Sequence, residues 1–432
     1  MSFAPEVTAS RDFRVYMTGL QRRSFLKGAG VVTVVVVGGG VWRACNQGVF
    51  SVGEGPAYEP WKDWRNPNHE VGTLALVRAA ILAASPHNTQ PWLFKVTNSS
   101  IELYIDPSRN VGALDPYLRE EHIGIGCALE NLVLAAPVNG YQASVTLFPG
   151  PLFPGTLFPG APFSGTPAPI PEETAPKLLA RIDLVIDSAP GKREESELYD
   201  AIPHRHTNRG PYIPEKSLPP EFIDALSRVA SDEPDAKIFL FTSQGDRKKI
   251  VEIISAANDE IYSDPEVNRG SGRWIRSQWS DVQKSRDGLT VDAFGLPPIA
   301  AGVAKMMPLW MQRWVASRGP KDGYSRLMLR ASLMGIVTVR DRYDQENCLR
   351  AGRIWQRAHL LATARGVAGR PCNEAVEMID HEKAHGRPAL RAGMLGEILG
   401  DAAWQPTFVF YMGYPTLTAR ASPRRPLEKV IL

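Results

Sequence analysis

Two arginines with a hydroxyl residue between them form the segment of this chain best suited to hold an anion. They are Arg205 and Arg209, four positions apart, with Thr207 between them. A guanidinium can bind a phosphate through two parallel hydrogen bonds, and a threonine hydroxyl adds another donor. A second pair, Arg424 and Arg425, lies between prolines whose restricted backbones suit preorganised anion binding. A solvated cluster of charges is the alternative interpretation of the first motif.

A polar loop between a helix and a strand is the second candidate for ligand binding. Apolar residues recur at helical spacing from Leu74 to Ala84, and Pro86 ends this helix because the residue before a proline avoids helical geometry. Alternating residues from Trp92 to Thr97 then predict a strand. The loop between them carries short hydrogen-bonding side chains, namely Ser85, His87, Asn88, Thr89 and Gln90.

Helices and strands continue along the chain in two similar series. The predicted helices after the loop are Leu118–Asn139, Pro220–Ala230, Asp246–Tyr262 and Leu349–Arg365. The predicted strands after the first one are Ile101–Ile105, Gln142–Phe148, Leu178–Ile186, Lys237–Thr242 and Phe408–Met412. The series after Leu218 repeats the early layout without a second copy of the polar loop.

These motifs resemble segments of the nitroreductase superfamily, the FMN-binding α+β oxidoreductases. The loop reads A-x-S-P-x-N-T-Q-P-W, and the long helix reads G-x-A-x-x-N-x-x-L-A-A from Gly126 to Ala136. Residues 205–209 resemble the family's R-x-S-x-R motif, and Ser422–Leu427 resembles its C-terminal phosphate-contacting segment. The resemblance covers roughly residues 70 to 430 and is closest to the single-chain, Acg-like branch.

The resemblance implies a nitroreductase-like α+β fold duplicated in one chain as a pseudo-dimer, with mixed or antiparallel sheets flanked by helices. Ordinary members are homodimers that bind FMN between subunits, with the arginines from one subunit and the S-P-x-x-N loop from the other. Here the loop occurs in the first half and the arginines in the second, so one monomer would complete one site. The implied FMN-binding residues are Ser85, His87, Asn88, Gln90, Arg205, Thr207, Arg209, Arg424 and Arg425. No catalytic side chain and no metal are implied, because the flavin carries the chemistry.

The activity implied is electron transfer from a reduced donor, with NAD(P)H as a candidate, through FMN to a small-molecule acceptor. Binding or sequestering FMN without turnover is the alternative, and a cofactor-free structural or interaction protein is a third hypothesis. The Trp- and Met-rich residues 270–320 are either a lid over the flavin or packing between the halves.

Positive charge is concentrated at the N-terminus. Residues 1–45 carry six basic and two acidic side chains, so the net charge of +3 for the whole chain leaves −1 for the remainder. The net charge of the remainder therefore gives no reason to expect nucleic-acid binding. Arg22 and Arg23, followed by the valine- and glycine-rich stretch Gly28–Trp42, resemble a twin-arginine export signal. An uncleaved anchor, a short transmembrane helix and lipidation at Cys45 are the alternatives.

The predicted organisation is therefore an export signal over 1–45, a first nitroreductase-like half over 46–190 and a second over 191–432. Export would use the twin-arginine machinery and leave the protein periplasmic or anchored on the outer side of the inner membrane. Repeats of Leu-Phe-Pro-Gly mark residues 148–171 as a low-complexity insertion whose deletion should be tolerated. The cysteines lack metal-ligand spacing, so Cys127, Cys348 and Cys372 are predicted to be buried thiols.

Overall fold

The computed structural model describes residues 40–64, 72–148, 175–187, 196–308, 311 and 323–432. Most of the predicted export signal, residues 1–39, lies outside the described residues, and so does most of the predicted insertion, residues 149–171. Among the described residues, none of the helices combines the length and the hydropathy needed to cross a bilayer.

The described helices are distributed over the whole chain. We number them α1 (residues 40–46), α2 (Glu59–Asp63), α3 (Thr73–Ala80), α4 (Arg119–Val138), α5 (Glu197–Ala201), α6 (Pro220–Ser227), α7 (Gln244–Ile261), α8 (Pro265–Gly272), α9 (Trp279–Ser285), α10 (Pro298–Met306), α11 (Gly323–Leu329), α12 (Gln345–Ala364), α13 (Glu374–Ala384) and α14 (Leu390–Leu399).

The strands form two antiparallel sheets of four strands each and one short parallel pair. The strands are β1 (Trp92–Val96), β2 (Ser100–Ile105), β3 (Tyr141–Leu147), β4 (Lys177–Ile186), β5 (Ala236–Phe241), β6 (Ile275–Arg276), β7 (Leu289–Thr290), β8 (Leu333–Val339), β9 (Ala368–Pro371) and β10 (Gln405–Gly413). The architecture is therefore α+β, as the sequence predicted.

The two large sheets have the same internal plan. The first has the order β1-β2-β4-β3 and the second the order β5-β8-β10-β9, so each runs first, second, fourth, third strand in chain order. A helix of 20 residues connects the second and third strands in both cases, α4 in the first sheet and α12 in the second. This is the arrangement that a duplicated fold requires, while the boundary near residue 190 stays a prediction.

The two long helices α4 and α12 pack against each other at the centre of the molecule. Their backbones meet at Gly126 and Gly352, where a Cβ atom would lie 2.1 Å from the Leu349 carbonyl oxygen and 2.0 Å from the Ile123 carbonyl oxygen, respectively. Only glycine permits this approach. The Gln356 side chain donates to Asn131 Oδ1 at 2.8 Å across the same interface. The glycines therefore fix how closely the halves approach each other, and the cavity described below lies beside this contact.

The C-terminal residues return to the first sheet. Phe94 of β1 donates its backbone N–H to the Val430 carbonyl at 2.7 Å, and Leu432 donates to the Phe94 carbonyl at 2.8 Å. Ile431 thereby forms an isolated parallel bridge with Phe94. This pairing carries the preceding residues, 422–426, across the polar loop that follows α3.

Candidate functional site

The polar loop after α3 is a tight turn with unusual backbone geometry. Pro86–Asn88 form one turn of 3-10 helix, and His87, Asn88 and Gln90 have positive φ angles of 47°, 57° and 55°. Left-handed backbone is costly for residues other than glycine and persists when surrounding contacts impose it. Ser85 supplies one of these contacts, because its hydroxyl accepts a hydrogen bond from the Gln90 backbone N–H at 3.1 Å.

Asn88 joins this loop to two distant segments. Its side-chain amide donates to the carbonyls of Gly288 at 3.1 Å and Pro423 at 2.9 Å, and its carbonyl oxygen accepts from the Arg424 guanidinium. The residue is 6% exposed. The Asn88 side chain was predicted to contact the flavin. In the structure, its polar atoms are hydrogen-bonded to Gly288, Pro423 and Arg424 and so stabilise the wall of the site.

Gln90 and Arg425 bind each other rather than the cavity. The Arg425 backbone N–H donates to Gln90 Oε1 at 2.8 Å, and its guanidinium donates to the Gln90 carbonyl at 3.1 Å. Gln90 also donates to the Arg286 carbonyl at 2.9 Å. Neither residue lies on the cavity wall. They fix the C-terminal segment on the loop, so their assignment as direct ligands of a cofactor stays a prediction that the geometry does not favour.

A cavity of about 270 Å³ lies between the loop, α4, α13 and the segment that follows α5. Of the nine predicted binding residues, seven line it, which are Ser85, His87, Asn88, Arg205, Thr207, Arg209 and Arg424. Three segments that are far apart in the sequence thus converge on one space, as the resemblance implied.

Two of the arginines are buried against the end of α3. Arg205, 2% exposed, donates to the Leu82 carbonyl at 2.9 Å, and Arg424, 3% exposed, donates to the carbonyls of Leu82 at 3.4 Å and Ala83 at 3.1 Å. Carbonyls at a helix C-terminus carry partial negative charge and attract cations. No carboxylate pairs with either guanidinium among the described residues, and the Nε atoms of both lack a hydrogen-bond partner there. Burial lowers the pKa of Arg205 to about 10 and lowers that of Arg424 well below its usual value.

Arg209 has the fewest protein partners of the three arginines. Its one described hydrogen bond goes to the Ala293 carbonyl at 3.4 Å. Burial, together with the charge of Arg370, lowers the pKa of Arg209 to about 10. A buried guanidinium with a second cation beside it is stabilised by any anion that enters the cavity.

Two histidines on the same wall are held in the neutral form. Burial, followed by the charge of Arg209, lowers the pKa of His87 to about 4. Burial and the charges of Arg205 and Arg424 lower the pKa of His206 to about 3. His206 Nδ1 has no partner among the described residues, and its ring meets the edge of Trp61 at a centroid distance of 4.7 Å. This end of the cavity is therefore strongly electropositive.

The opposite wall is acidic, and sequence reasoning missed it. Glu120 at the start of α4 and Glu377 in α13 line the cavity, and they are 5% and 6% exposed. The charge of Glu120 acts on Glu377, and Glu120 Oε1 and Glu377 Oε2 have no hydrogen-bond partner among the described residues. Burial raises the pKa of Glu120, and burial with the neighbouring Glu120 charge raises the pKa of Glu377 well above its ordinary value. Two buried carboxyl groups that act on each other favour protonation, so this part of the wall favours carrying a proton.

A buried ion-pair network positions this acidic wall. Arg119 donates to Asp380 at 2.7 Å, and Arg342 donates to the second oxygen of the same carboxylate at 2.8 Å. Arg119 also donates to the Thr407 carbonyl of β10. The network fixes the first turn of α4 to α13 and β10, which places Glu120 beside Glu377. Little in the sequence indicated that Glu120 and Glu377 line a cavity, because acidic residues in the first turn of a helix are usually solvated.

Apolar side chains form a further part of the cavity wall. Ile123 of α4, Trp355 of α12 and Phe408 of β10 line the cavity there. Gly124 allows close packing of α4 on the loop, since a Cβ atom at this position would lie 3.0 Å from Pro86 Cδ. The cavity wall thus combines buried cations, apolar side chains and buried carboxyl groups.

Three residues with metal-ligating atoms lie outside the cavity wall. Asp264, His381 and His385 place such atoms within 4.8 Å of one another. Each has a protein partner: Asp264 caps α8 and accepts from His381 at 3.1 Å, and His385 Nδ1 contacts the His381 carbonyl at 2.8 Å. These interactions hold the three side chains together.

Comparison with curated proteins finds relatives along most of the chain, while no family model matches it. It is 27% identical over 362 residues, 82% of this chain and 88% of the relative, to "Putative NAD(P)H nitroreductase Rv3131" of Mycobacterium tuberculosis. It is 25% identical over 364 residues, 82% of this chain and 91% of the relative, to the uncharacterized protein Rv3127 of the same organism. A shorter match, 35% identical over 75 residues and covering 17% of this chain and 23% of the relative, is to "Putative NAD(P)H nitroreductase acg".

Solved structures with similarity to this chain include two nitroreductases. A nitroreductase with bound FMN from Desulfitobacterium hafniense shares 14% identity over 55% of this chain and 98% of its own, with a TM-score of 0.35. The FMN-dependent nitroreductase NfnB from Mycobacterium smegmatis, in complex with NADPH, shares 16% identity over 54% of this chain and 96% of its own, also with a TM-score of 0.35. The curated relatives support the resemblance to the superfamily and to its Acg-like branch that the motifs indicated.

Proposed function

With the chain placed in the Acg-like branch of the nitroreductase superfamily, we propose that it binds FMN and is an oxidoreductase of the nitroreductase type. It would transfer electrons from a reduced donor to a small acceptor. The observation that carries this proposal is the convergence of Arg205, Arg209 and Arg424 on one cavity without a carboxylate partner among the described residues. A bound phosphate would supply the missing negative charge.

The residues present fit such a cofactor. The guanidinium Nε atoms of Arg205 and Arg424 are buried without partners, and each can donate to a phosphate oxygen. The apolar wall of Ile123, Trp355 and Phe408 offers a surface for a flat ring system. Flavin, when bound, supplies the two-electron chemistry, and the protein supplies binding, orientation and electrostatics.

The protein's own groups have different roles at the two ends of the cavity, namely anion binding at one end and proton donation at the other. The basic end binds negative charge and stabilises an anionic form of any ring held above it. At the acidic end, the raised pKa values of Glu120 and Glu377 favour their protonated forms, so either carboxyl group can donate a proton to an acceptor that gains electrons in the cavity. Trp61 excludes water from the basic end, because its ring lies 4.6 Å from the Arg424 guanidinium and its Nε1 donates to the Ser422 carbonyl at 2.7 Å.

The test is the visible absorption spectrum of the purified protein, followed by release and identification of the chromophore. We expect the bands of oxidised flavin, with FMN released on denaturation. The variant Arg209→Met should lose much of the bound flavin, whereas Arg228→Met, which alters an exposed arginine at the end of α6, should retain it. A colourless protein that FMN cannot reconstitute would contradict the proposal.

Sequestering FMN without turnover is the second candidate, and the cover over the cavity favours it. Leu289 of β7 and Phe294 line the cavity from the segment that precedes α10. These two side chains would restrict the space left for an acceptor once the cavity held a flavin. Anaerobic addition of NADH or NADPH separates the candidates, because bleaching of bound flavin followed by reoxidation with a nitroaromatic compound requires turnover.

We also propose that the chain acts as a monomer and is exported through the twin-arginine route. The complementary halves, with the loop in one and the arginines in the other, support one site per chain. The Arg22-Arg23 pair before an apolar stretch supports export. Fractionation of cells that express the wild type and the Arg22→Lys/Arg23→Lys double variant tests the route, and loss of export in the variant is the expected result. Light scattering of the pure protein tests the monomer.

A further inference from the structure

An apolar surface of two neighbouring segments has no partner among the described residues. Helix α10 and the residues before it expose Ile299 at 85%, Val303 at 50% and Leu296 at 42%. The segment that begins at α1 exposes Trp42 at 68% and Phe50 at 70%. We call these five residues, together with Val41, the apolar face. A contiguous patch of large exposed apolar side chains marks an interaction site, whereas single exposed apolar residues are common and need no explanation.

Hydrogen bonds between the two segments join them into one surface. Arg43 donates to the Met306 carbonyl at 2.9 Å, and Lys305 donates to the Gly48 carbonyl at 3.0 Å. Val49 also packs on Gly302, where a Cβ atom would lie 3.2 Å from the valine methyl group. Lys305 is the single charged residue in α10, and it is buried in an ion pair with Asp292 at 2.6 Å. The outward side of α10 therefore carries no charge.

We propose that the apolar face lies on the surface of a lipid bilayer and docks the protein there. The chain preceding the described residues supports this occupant, because residue 40 follows directly on the apolar stretch that starts at Gly28, with Arg22, Arg23 and Lys27 before it. An apolar stretch with a basic flank brings the chain to a membrane, and residues that continue from it lie at the membrane surface. Val41 and Trp42 belong both to the end of this stretch and to the apolar face.

The face adjoins the mouth of the cavity. Phe294, 40% exposed, lies five residues before Ile299 and also lines the cavity. The adjacent Gly295 packs on the backbone of Arg209 and Gly210, where a Cβ atom would lie 2.2 Å from the Gly210 nitrogen. The same short segment thus touches the apolar face at one end and the basic wall at the other. A lipid-soluble ligand that leaves the bilayer beside Phe294 would enter the cavity without crossing bulk water.

Vesicle binding of the full chain tests the proposal. The probes are vesicles of phosphatidylcholine mixed with phosphatidylglycerol, and the variants are Ile299→Glu, Val303→Glu and the control Leu390→Glu, whose parent residue is 57% exposed in α14. Burial of one such side chain contributes about 1.5–3 kcal/mol, so each variant in the face should weaken binding by at least about tenfold. The control should bind like the wild type. Unchanged binding in both face variants would overturn the proposal, because residues 28–42 alone would then explain membrane association.

A second measurement locates the face directly. In a Cys45→Ser background, a nitroxide label at position 303 should become accessible to a lipid-soluble relaxing agent when vesicles are added, and a label at position 390 should not. The remaining cysteines are buried and should not react. If the wild type forms dimers without vesicles and the Ile299→Glu variant is monomeric, a second copy of the chain covers the face and the proposal is wrong.

Discussion

Of the three arginines of the basic wall, we expect Arg209 to act mainly in ligand binding. We expect Arg205 and Arg424 to stabilise the fold as well. Arg209 and Arg424 are the extremes, and replacing each by methionine removes the charge while keeping most of the side-chain volume. Arg424 donates to four oxygen atoms, of Asn88, Pro423, Leu82 and Ala83. Arg209 has one hydrogen bond, at 3.4 Å.

The expected magnitudes follow from these contacts. A hydrogen bond from a charged donor contributes about 1.5–3 kcal/mol, and carbonyls left without a donor add a desolvation penalty. Burial of the Arg424 charge offsets part of this gain, so we expect Arg424→Met to lower the free energy of unfolding by about 2–4 kcal/mol. Arg209→Met removes one long hydrogen bond and the repulsion from Arg370, so the free energy of unfolding should change by less than about 1 kcal/mol. Its affinity for FMN should fall by about tenfold to a hundredfold, because one charge-assisted contact is lost.

Two assays measure these effects independently. Urea unfolding of the flavin-free protein gives the stability, and quenching of flavin fluorescence gives the dissociation constant for FMN. Arg228→Met serves as the control for both. If Arg209→Met destabilised the protein as strongly as Arg424→Met and left the FMN affinity unchanged, Arg209 would be a structural residue and the phosphate site would be assigned wrongly.

Three further predictions concern the helix contact, a buried carboxyl group that precedes α4 and the basic end of the cavity. Gly352→Ala would place a Cβ atom 2.0 Å from the Ile123 carbonyl oxygen and should lower the stability by about 1–3 kcal/mol or more in thermal unfolding, whereas Gly393→Ala, with no atom within 4 Å, should not. Burial raises the pKa of Asp115 from 3.8 to about 7, so the folded state binds the extra proton and this carboxyl lowers stability as pH rises through that window. Asp115→Asn should flatten that part of a stability profile measured by urea unfolding against pH. Binding of FMN at pH 5 should take up protons, because a phosphate beside His206 raises a pKa that is about 3 without ligand, and calorimetry in buffers of different ionisation enthalpy measures the uptake.

The three longest helices, α4, α7 and α12, and six of the ten described strands could be predicted because their patterns are local. The long helix expected over Leu118–Asn139 is observed over Arg119–Val138, and the strand expected over Leu178–Ile186 is observed over Lys177–Ile186. Cys127 is buried, as expected from its place on the apolar side of α4. These features depend on periodicity and on end signals that a few neighbouring residues determine.

The direction of individual side chains in the site could not be predicted in the same way. The motif A-x-S-P-x-N-T-Q-P-W identified the loop, but the left-handed backbone at Asn88 and Gln90 decides which side chains point to the cavity. Gln90 turns toward Arg425, and both leave the cavity wall. The acidic wall was missed for a different reason. Glu120 and Glu377 are separated by more than two hundred residues, so their proximity depends on the tertiary structure alone.

The return of the C-terminus to the first sheet explains why the basic wall is built at one place. The pairing of Phe94 with residues 430–432 carries Arg424 onto the carbonyls that end α3, where Arg205 from the second half also binds. Both cations need those carbonyls, because neither has a carboxylate partner among the described residues. The buried carbonyls of Leu82 and Ala83, just after α3 in the first half, therefore attract two arginines from the second half. The halves are held together by the same contacts that leave the guanidinium Nε atoms free for an anion, so ligand binding and association of the halves should strengthen each other.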